Sequence, residues 1–140
     1  MSAAPEQVAD YLAICELRAK YSRSIDNENW EAYAELFTED TTVVYPRDTL
    51  ENRQEVYEYV RDRVEYDYSM HTVQMPEIDV DGDEATGKWY MVVFYVATDL
   101  SQGYVLGSYE DEYRKVDGEW KIDRMVTHVA YDTGGYHTQW

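Results

Sequence analysis

From about Glu6 to Ile25, apolar residues recur every three or four positions (Val8, Leu12, Ile14, Leu17, Tyr21 and Ile25), with Glu, Arg and Lys between them. That spacing predicts a long amphipathic helix. "DNEN" supplies turn and cap residues, and "WEAYAELF" predicts a shorter helix carrying Trp30, Tyr33, Leu36 and Phe37. "TTVVY" reads as a strand that Pro46 ends, and a third helix fits 51–64, with Val56, Tyr59, Val60 and Val64 as its stripe. The period then changes from helical to alternating. "YSMHTVQMPEIDV", "EATGKWYMVVFYVAT", "GYVLGSYEDEYRKV" and "EWKIDRMVTHVAY" are long strand candidates rich in Val, Tyr, Trp and Thr. Asp-Gly in "DVDGDEA" and in "VDGEW" signals tight hairpins, and "TDLSQG" a looser turn. Helices first and strands after give an α+β class. The expected architecture is a cone-shaped barrel, a strongly curved antiparallel sheet wrapped over the long first helix with a cavity between them.

At 140 residues the chain fits one domain spanning 1–140, with no repeat or linker. The Gly-Gly in "DTGGYHTQW" suggests that 132–140 form a mobile tail, and His137 in it is given no role. The opening "MSAAPEQVAD" has neither a basic nor an apolar leader region, and no run of 18 apolar residues occurs, so a cytoplasmic protein is expected. A single cysteine, Cys15, excludes an intrachain disulfide. The charge changes the picture most. Twenty-nine acids against 12 basic residues give −17, a field that repels phosphate backbones and anionic lipid. Neither nucleic acid nor membrane is expected as a partner. The acids are spread along the chain, a pattern suited to molar salt, where screening lengths fall to about 3 Å.

Candidate chemistry rests on a few residues. In "SMHTVQM", Ser69, His71, Val73 and Met75 share one strand face, so His71 keeps apolar company. Tyr21 lies on the stripe of the first helix, and Asp26 stands where that helix ends. Each alone has an ordinary structural reading as a packed or capping residue. Together they form a chemical set. A carboxylate on one imidazole nitrogen fixes the tautomer and leaves the other nitrogen free as a base. A phenol can donate to a carbonyl oxygen as it becomes an enolate. Asp111 shares a face with Gly107, Tyr109 and Tyr113, which suits either a pocket polar group or an edge solubiliser. His128 shares a face with Val126 and Ala130, where packing outweighs a pocket role. No HxH, HExxH, cysteine pair, calcium loop, phosphate loop or GxSxG occurs, so neither metal nor cofactor is expected.

"ELRAKYSRSIDNENWEAYAELFTEDTTV", "SMHTVQMPEIDVDGDEATGKWYMVV" and "YEDEYRKVDGEWKIDRM" resemble the SnoaL-like branch of the nuclear transport factor 2-like superfamily. The resemblance covers roughly residues 10 to 131 and is strongest to bile acid 7α-dehydratases and, more distantly, scytalone dehydratases. It implies a cone-shaped α+β barrel, a hydrophobic cavity and a homo-oligomer, dimer or trimer. It also implies that Tyr21, Asp26 and His71 are catalytic. Val73, Trp89, Met91, Val93, Tyr109, Asp111 and His128 are the candidate lining residues of the substrate pocket. The bile acid enzymes carry a further aspartate where this chain has Val93. Scytalone dehydratases carry a second histidine that "YVLGSYEDEY" lacks. The expected activity is cofactor-independent elimination of water from a small hydrophobic or cyclic hydroxy-carbonyl compound. A proton-transfer isomerase of the ketosteroid-isomerase kind and a non-catalytic ligand-binding or assembly module are the alternatives.

Overall fold

The structure is a computed structural model and describes residues 4–63 and 66–134. Val64, His137 and the tail from 135 onward lie outside the described residues, while Asp132 belongs to the last strand. The order is α1 (Pro5–Asp26), α2 (Trp30–Ala34), β1 (Phe37–Val44), β2 (Thr49–Leu50), α3 (Arg53–Arg63), β3 (Tyr66–Asp81), β4 (Glu84–Ala97), β5 (Gln102–Val116) and β6 (Glu119–Asp132). One sheet of order β2-β1-β6-β5-β4-β3 folds over α1.

Pro5 opens α1 at a position where its missing N–H is not needed, and Asn27 ends it. The helix buries Ile14, Leu17, Arg18, Tyr21, Ser22 and Ile25 against the sheet. Val8 and Leu12, expected on the same stripe, are 47% and 58% exposed. The inward line extended one turn back from Ile14 reaches Asp10, not those two residues. Asp10 accepts from Trp120 Nε1 at 3.0 Å and pairs with Lys115 Nζ at 3.0 Å.

β3 to β6 pair antiparallel, in agreement with the alternation in the sequence. The sheet is mixed rather than wholly antiparallel, because β1 runs parallel to β6, with Val43 beside Met125. The second helix is also shorter than its apolar spacing suggests. Ile122 N donates to Leu36 O at 2.8 Å, drawing the chain out of the helix, so Phe37 enters β1. The β5–β6 turn holds Asp117 and Gly118 at φ 51° and 81°, the type I′ arrangement that Asp-Gly favours. In the β3–β4 turn the central pair is Gly82–Asp83, one residue beyond the Asp-Gly dipeptide. A bulge interrupts β3 between Gln74 and Glu77, with Met75 at φ 54°. The bulge turns Met75 out to 72% exposure, although strict alternation from His71 would bury it.

Candidate active site

Above the bulge, β3 keeps its alternation, and Ser69 and His71 face inward beside the end of α1. Asp26 closes on this stretch from the last turn of the helix. Its carboxylate accepts from Ser69 Oγ at 2.9 Å, from the His71 backbone N–H at 2.9 Å and from His71 Nδ1 at 2.6 Å. An ionised carboxylate can only accept, so Nδ1 carries the proton between them, and a neutral ring so held has its lone pair on Nε2. The imidazole is 5% exposed and its carboxylate partner 18%.

His71 borders a cavity lined also by Tyr21, Ile25, Tyr45, Pro46, Met91, Val93, Val105, Tyr109, Thr127 and Val129. Its free space is about 20 Å³, enough for roughly one water. The cavity has two characters. His71 comes from β3, at one end of the strand order, while the phenols of Tyr21, Tyr45 and Tyr109 and the hydroxyl of Thr127 come from α1, β5, β6 and the residue that follows β1. Tyr21 Oη donates to Tyr109 Oη at 3.4 Å. Burial, reinforced by neighbouring Tyr21, holds the Tyr45 and Tyr109 phenols well above the usual range, so both stay protonated at neutral pH.

Against the Tyr21 and Tyr109 rings lies a charge pair that the sequence pattern hid. Arg18 Nε and Nη2 donate to the two carboxylate oxygens of Asp111 at 2.9 and 2.8 Å, and both side chains are fully buried. The guanidinium carbon sits 4.4 Å from the Tyr21 ring centre and 4.1 Å from that of Tyr109. Burial alone would lower the proton affinity of Arg18, but the Asp111 carboxylate outweighs it and holds the guanidinium above its ordinary range. Burial also pushes the Asp111 carboxyl up, against the pull of Arg18. With two short parallel bonds, the ionised pair is the favoured state, although Arg18 Nη1 is left without a hydrogen-bond partner among the described residues. Tyr113 donates to Asp111 Oδ2, and Trp89 Nε1 donates to Tyr113 Oη at 2.9 Å.

The residues singled out in the sequence thus divide. Tyr21, His71, Met91, Val93 and Tyr109 border the cavity, and Asp26 holds His71 from behind. Val73 and Trp89 border a groove at the α1–β3 junction, which Asp26 and His71 line as well. Asp111 is neither a cavity residue nor an edge solubiliser, since Arg18 consumes it beneath the tyrosines. His128 faces outward, with a 54% exposed side chain near Glu110, because parity on β6 turns Met125, Thr127 and Val129 inward instead. Tyr45, Thr127 and Arg18 are the additions. Parity in "TTVVY" and "MVTHV" contained the first two. Arg18 stands four residues after Ile14 and three before Tyr21, inside the stripe.

A family model of the SnoaL-like domain matches residues 6–126. The chain belongs to the SnoaL-like family. Among solved structures, it is similar to a proposed scytalone dehydratase from Novosphingobium aromaticivorans, with 26% identity, a TM-score of 0.86 and coverage of 91% of this chain and 88% of that one. A protein of unknown function from Mycobacterium tuberculosis shares 27% identity at a TM-score of 0.83, over 96% and 81% of the two chains. The LinA-type3 hexachlorocyclohexane dehydrochlorinase of Novosphingobium barchaimii shares the fold at 17% identity and a TM-score of 0.82, over 91% and 90%. Within this SnoaL-like chain, no group of three or more His, Cys, Asp or Glu among the described residues could hold a metal ion. No helix among them is long and apolar enough to cross a membrane.

Proposed function

We propose that this SnoaL-like protein is a cofactor-independent lyase that eliminates water from a small or cyclic hydroxy-carbonyl compound. The observation that carries the reading is the 2.6 Å contact between Asp26 and His71 Nδ1, with the ring bordering an apolar cavity. Nε2 removes a proton from the carbon next to the carbonyl. The electron pair moves onto the carbonyl oxygen, which accepts from the Tyr21 phenol. The enolate then collapses, the carbon–oxygen bond to the hydroxyl breaks, and the departing oxygen takes the proton from His71. Asp26 keeps the ring in one orientation and stabilises it while it is charged. A ring is larger than the free space, so its entry displaces lining side chains. Met91, with three rotatable bonds, is the readiest to move.

The test is turnover of β-hydroxy cyclic ketones by wild type and His71→Ala. Removal of a general acid–base should lower kcat about 10²–10⁴-fold, and equal rates would remove His71 from the reaction. Mass spectrometry of the product separates elimination, which loses a water, from isomerisation, which does not.

The functional unit in this reading is a homo-oligomer built on the outer face of β3–β6. Met70, Tyr90, Phe94, Tyr104, Leu106 and Tyr131 are all at least 39% exposed there. The outward positions 70, 72, 74, 90, 92, 94, 104, 106 and 108 include no acid. In a chain of charge −17, two copies meet with least repulsion on such a face.

A further inference from the structure

Thr127 departs from the other two buried threonines. Thr38 donates to Asp123 at 2.8 Å, and Thr41 donates to the carbonyl oxygens of Ile122 and Asp123. Thr127 is 9% exposed, borders the cavity, and its Oγ1 has no partner among the described residues. Leaving a hydroxyl buried and unpaired is unfavourable. Its inward neighbours on β6 are Met125 and Val129, so valine, with nearly the same shape, would suit a purely packed position.

We infer that Thr127 anchors a further oxygen of the substrate, so that the compound taken by this site carries a neutral hydroxyl that is retained, beyond its carbonyl and the hydroxyl that leaves. The inference rests on the reading of the cavity as a reaction site. Thr127 lies directly across from Tyr109 in the β5–β6 register, and Tyr109 in turn meets Tyr21. Opposed residues of this kind have Cβ atoms about 4.5–5.5 Å apart. Thr127 therefore belongs to the hydroxyl-bearing wall, across from the base. The carbonyl oxygen is served by the phenols of Tyr21 and Tyr109, which already share a hydrogen bond on this wall. The threonine hydroxyl remains for another oxygen on a nearby ring position, and rotation about χ1 lets it give or take a hydrogen bond.

The further group is a hydroxyl and not a carboxylate, because no Lys or Arg among the described residues lines the cavity. Arg18 lies behind the tyrosine rings with its charge already matched by Asp111.

Phenol, catechol and resorcinol are neutral probes that differ only in the second oxygen. Dissociation constants are read from NMR titration of the Tyr109 and His71 amides in wild type, Thr127→Val and Thr127→Ser. Wild type should bind at least one diol about three- to tenfold tighter than phenol, the range of one neutral hydrogen bond. Thr127→Val should bind phenol as wild type does and lose the diol preference, and Thr127→Ser should keep it. A wild type that prefers neither diol overturns the inference, as does a preference that survives in Thr127→Val or vanishes in Thr127→Ser. His71→Ala, which stops the proposed elimination, should leave the preference intact. Failure of the reaction and failure of the anchor are thereby told apart.

Discussion

Asp26 serves ring and backbone together, since it takes hydrogen bonds from the His71 side chain, the His71 amide and the Ser69 hydroxyl. An asparagine there fills the same space but carries no charge, and its NH2 group faces donors. Asp26→Asn should lower kcat for a β-hydroxy ketone by about 10²–10⁴-fold, and should cost about 1.5–3 kcal/mol of stability in urea titration as charge-assisted bonds weaken. Activity unchanged by the substitution would separate the carboxylate from the reaction. Arg18 permits a second comparison. Arg18→Met alone strands the Asp111 carboxylate in a dry site and should cost about 3–5 kcal/mol, whereas Arg18→Met with Asp111→Leu should return close to wild-type stability. A double variant as unstable as the single one would contradict that account. Periodicity marked the inward positions of Tyr21 and His71, but it treats every arginine as a surface residue. It had no means of pairing Arg18 with a carboxylate 93 positions away.

Among the elements, the α1 end near Asp10 is one of the places where charge ties the helix to the sheet. The Trp120 indole, followed by Lys115, holds the Asp10 carboxyl below its ordinary range. A depressed folded value means that the contact adds stability above the unfolded value, about pH 3.9, and loses it as pH falls through the lower folded value. Asp10→Asn should therefore be less stable than wild type at pH 7 by up to about 1 kcal/mol, and the gap should close toward pH 2, as read by thermal melts across pH. A gap that widens on acidification would reverse the sign of the effect. The long elements were legible because period-2 and helical stripes persist over many residues, and all four long strands lie within two residues of their expected bounds. The short elements were not. Leu36 and Phe37 satisfy a helical spacing locally, yet the backbone of Ile122, far along the chain, claims the Leu36 carbonyl and makes that segment a strand. The β3 bulge is equally silent, because nothing in "QMPE" but Pro76 marks the extra residue that turns Met75 outward.

For the whole molecule, a charge of −17 makes self-repulsion a standing cost of compactness. Raising salt from about 0.1 M to 1 M shortens the screening length from about 10 to 3 Å. The melting temperature should therefore climb steadily over that range, and a flat or falling profile would rule out adaptation to high salt. Phe94 stands near the middle of the outer apolar face, opposite Met70 and Tyr104. If the proposed assembly uses this face, Phe94→Glu should have a smaller mass than wild type in light scattering, with the far-UV dichroism unmoved. A mass equal to that of wild type would clear this face of any role in assembly.

The hydrogen bond from the His71 amide to Asp26 has one practical consequence. That single N–H is tied to the same carboxylate that orients the ring, so its exchange with deuterated solvent clocks how often the helix end lets go of the strand. A compound that tightens the grip would slow this one proton. Candidate substrates could be ranked in that way before any turnover assay exists.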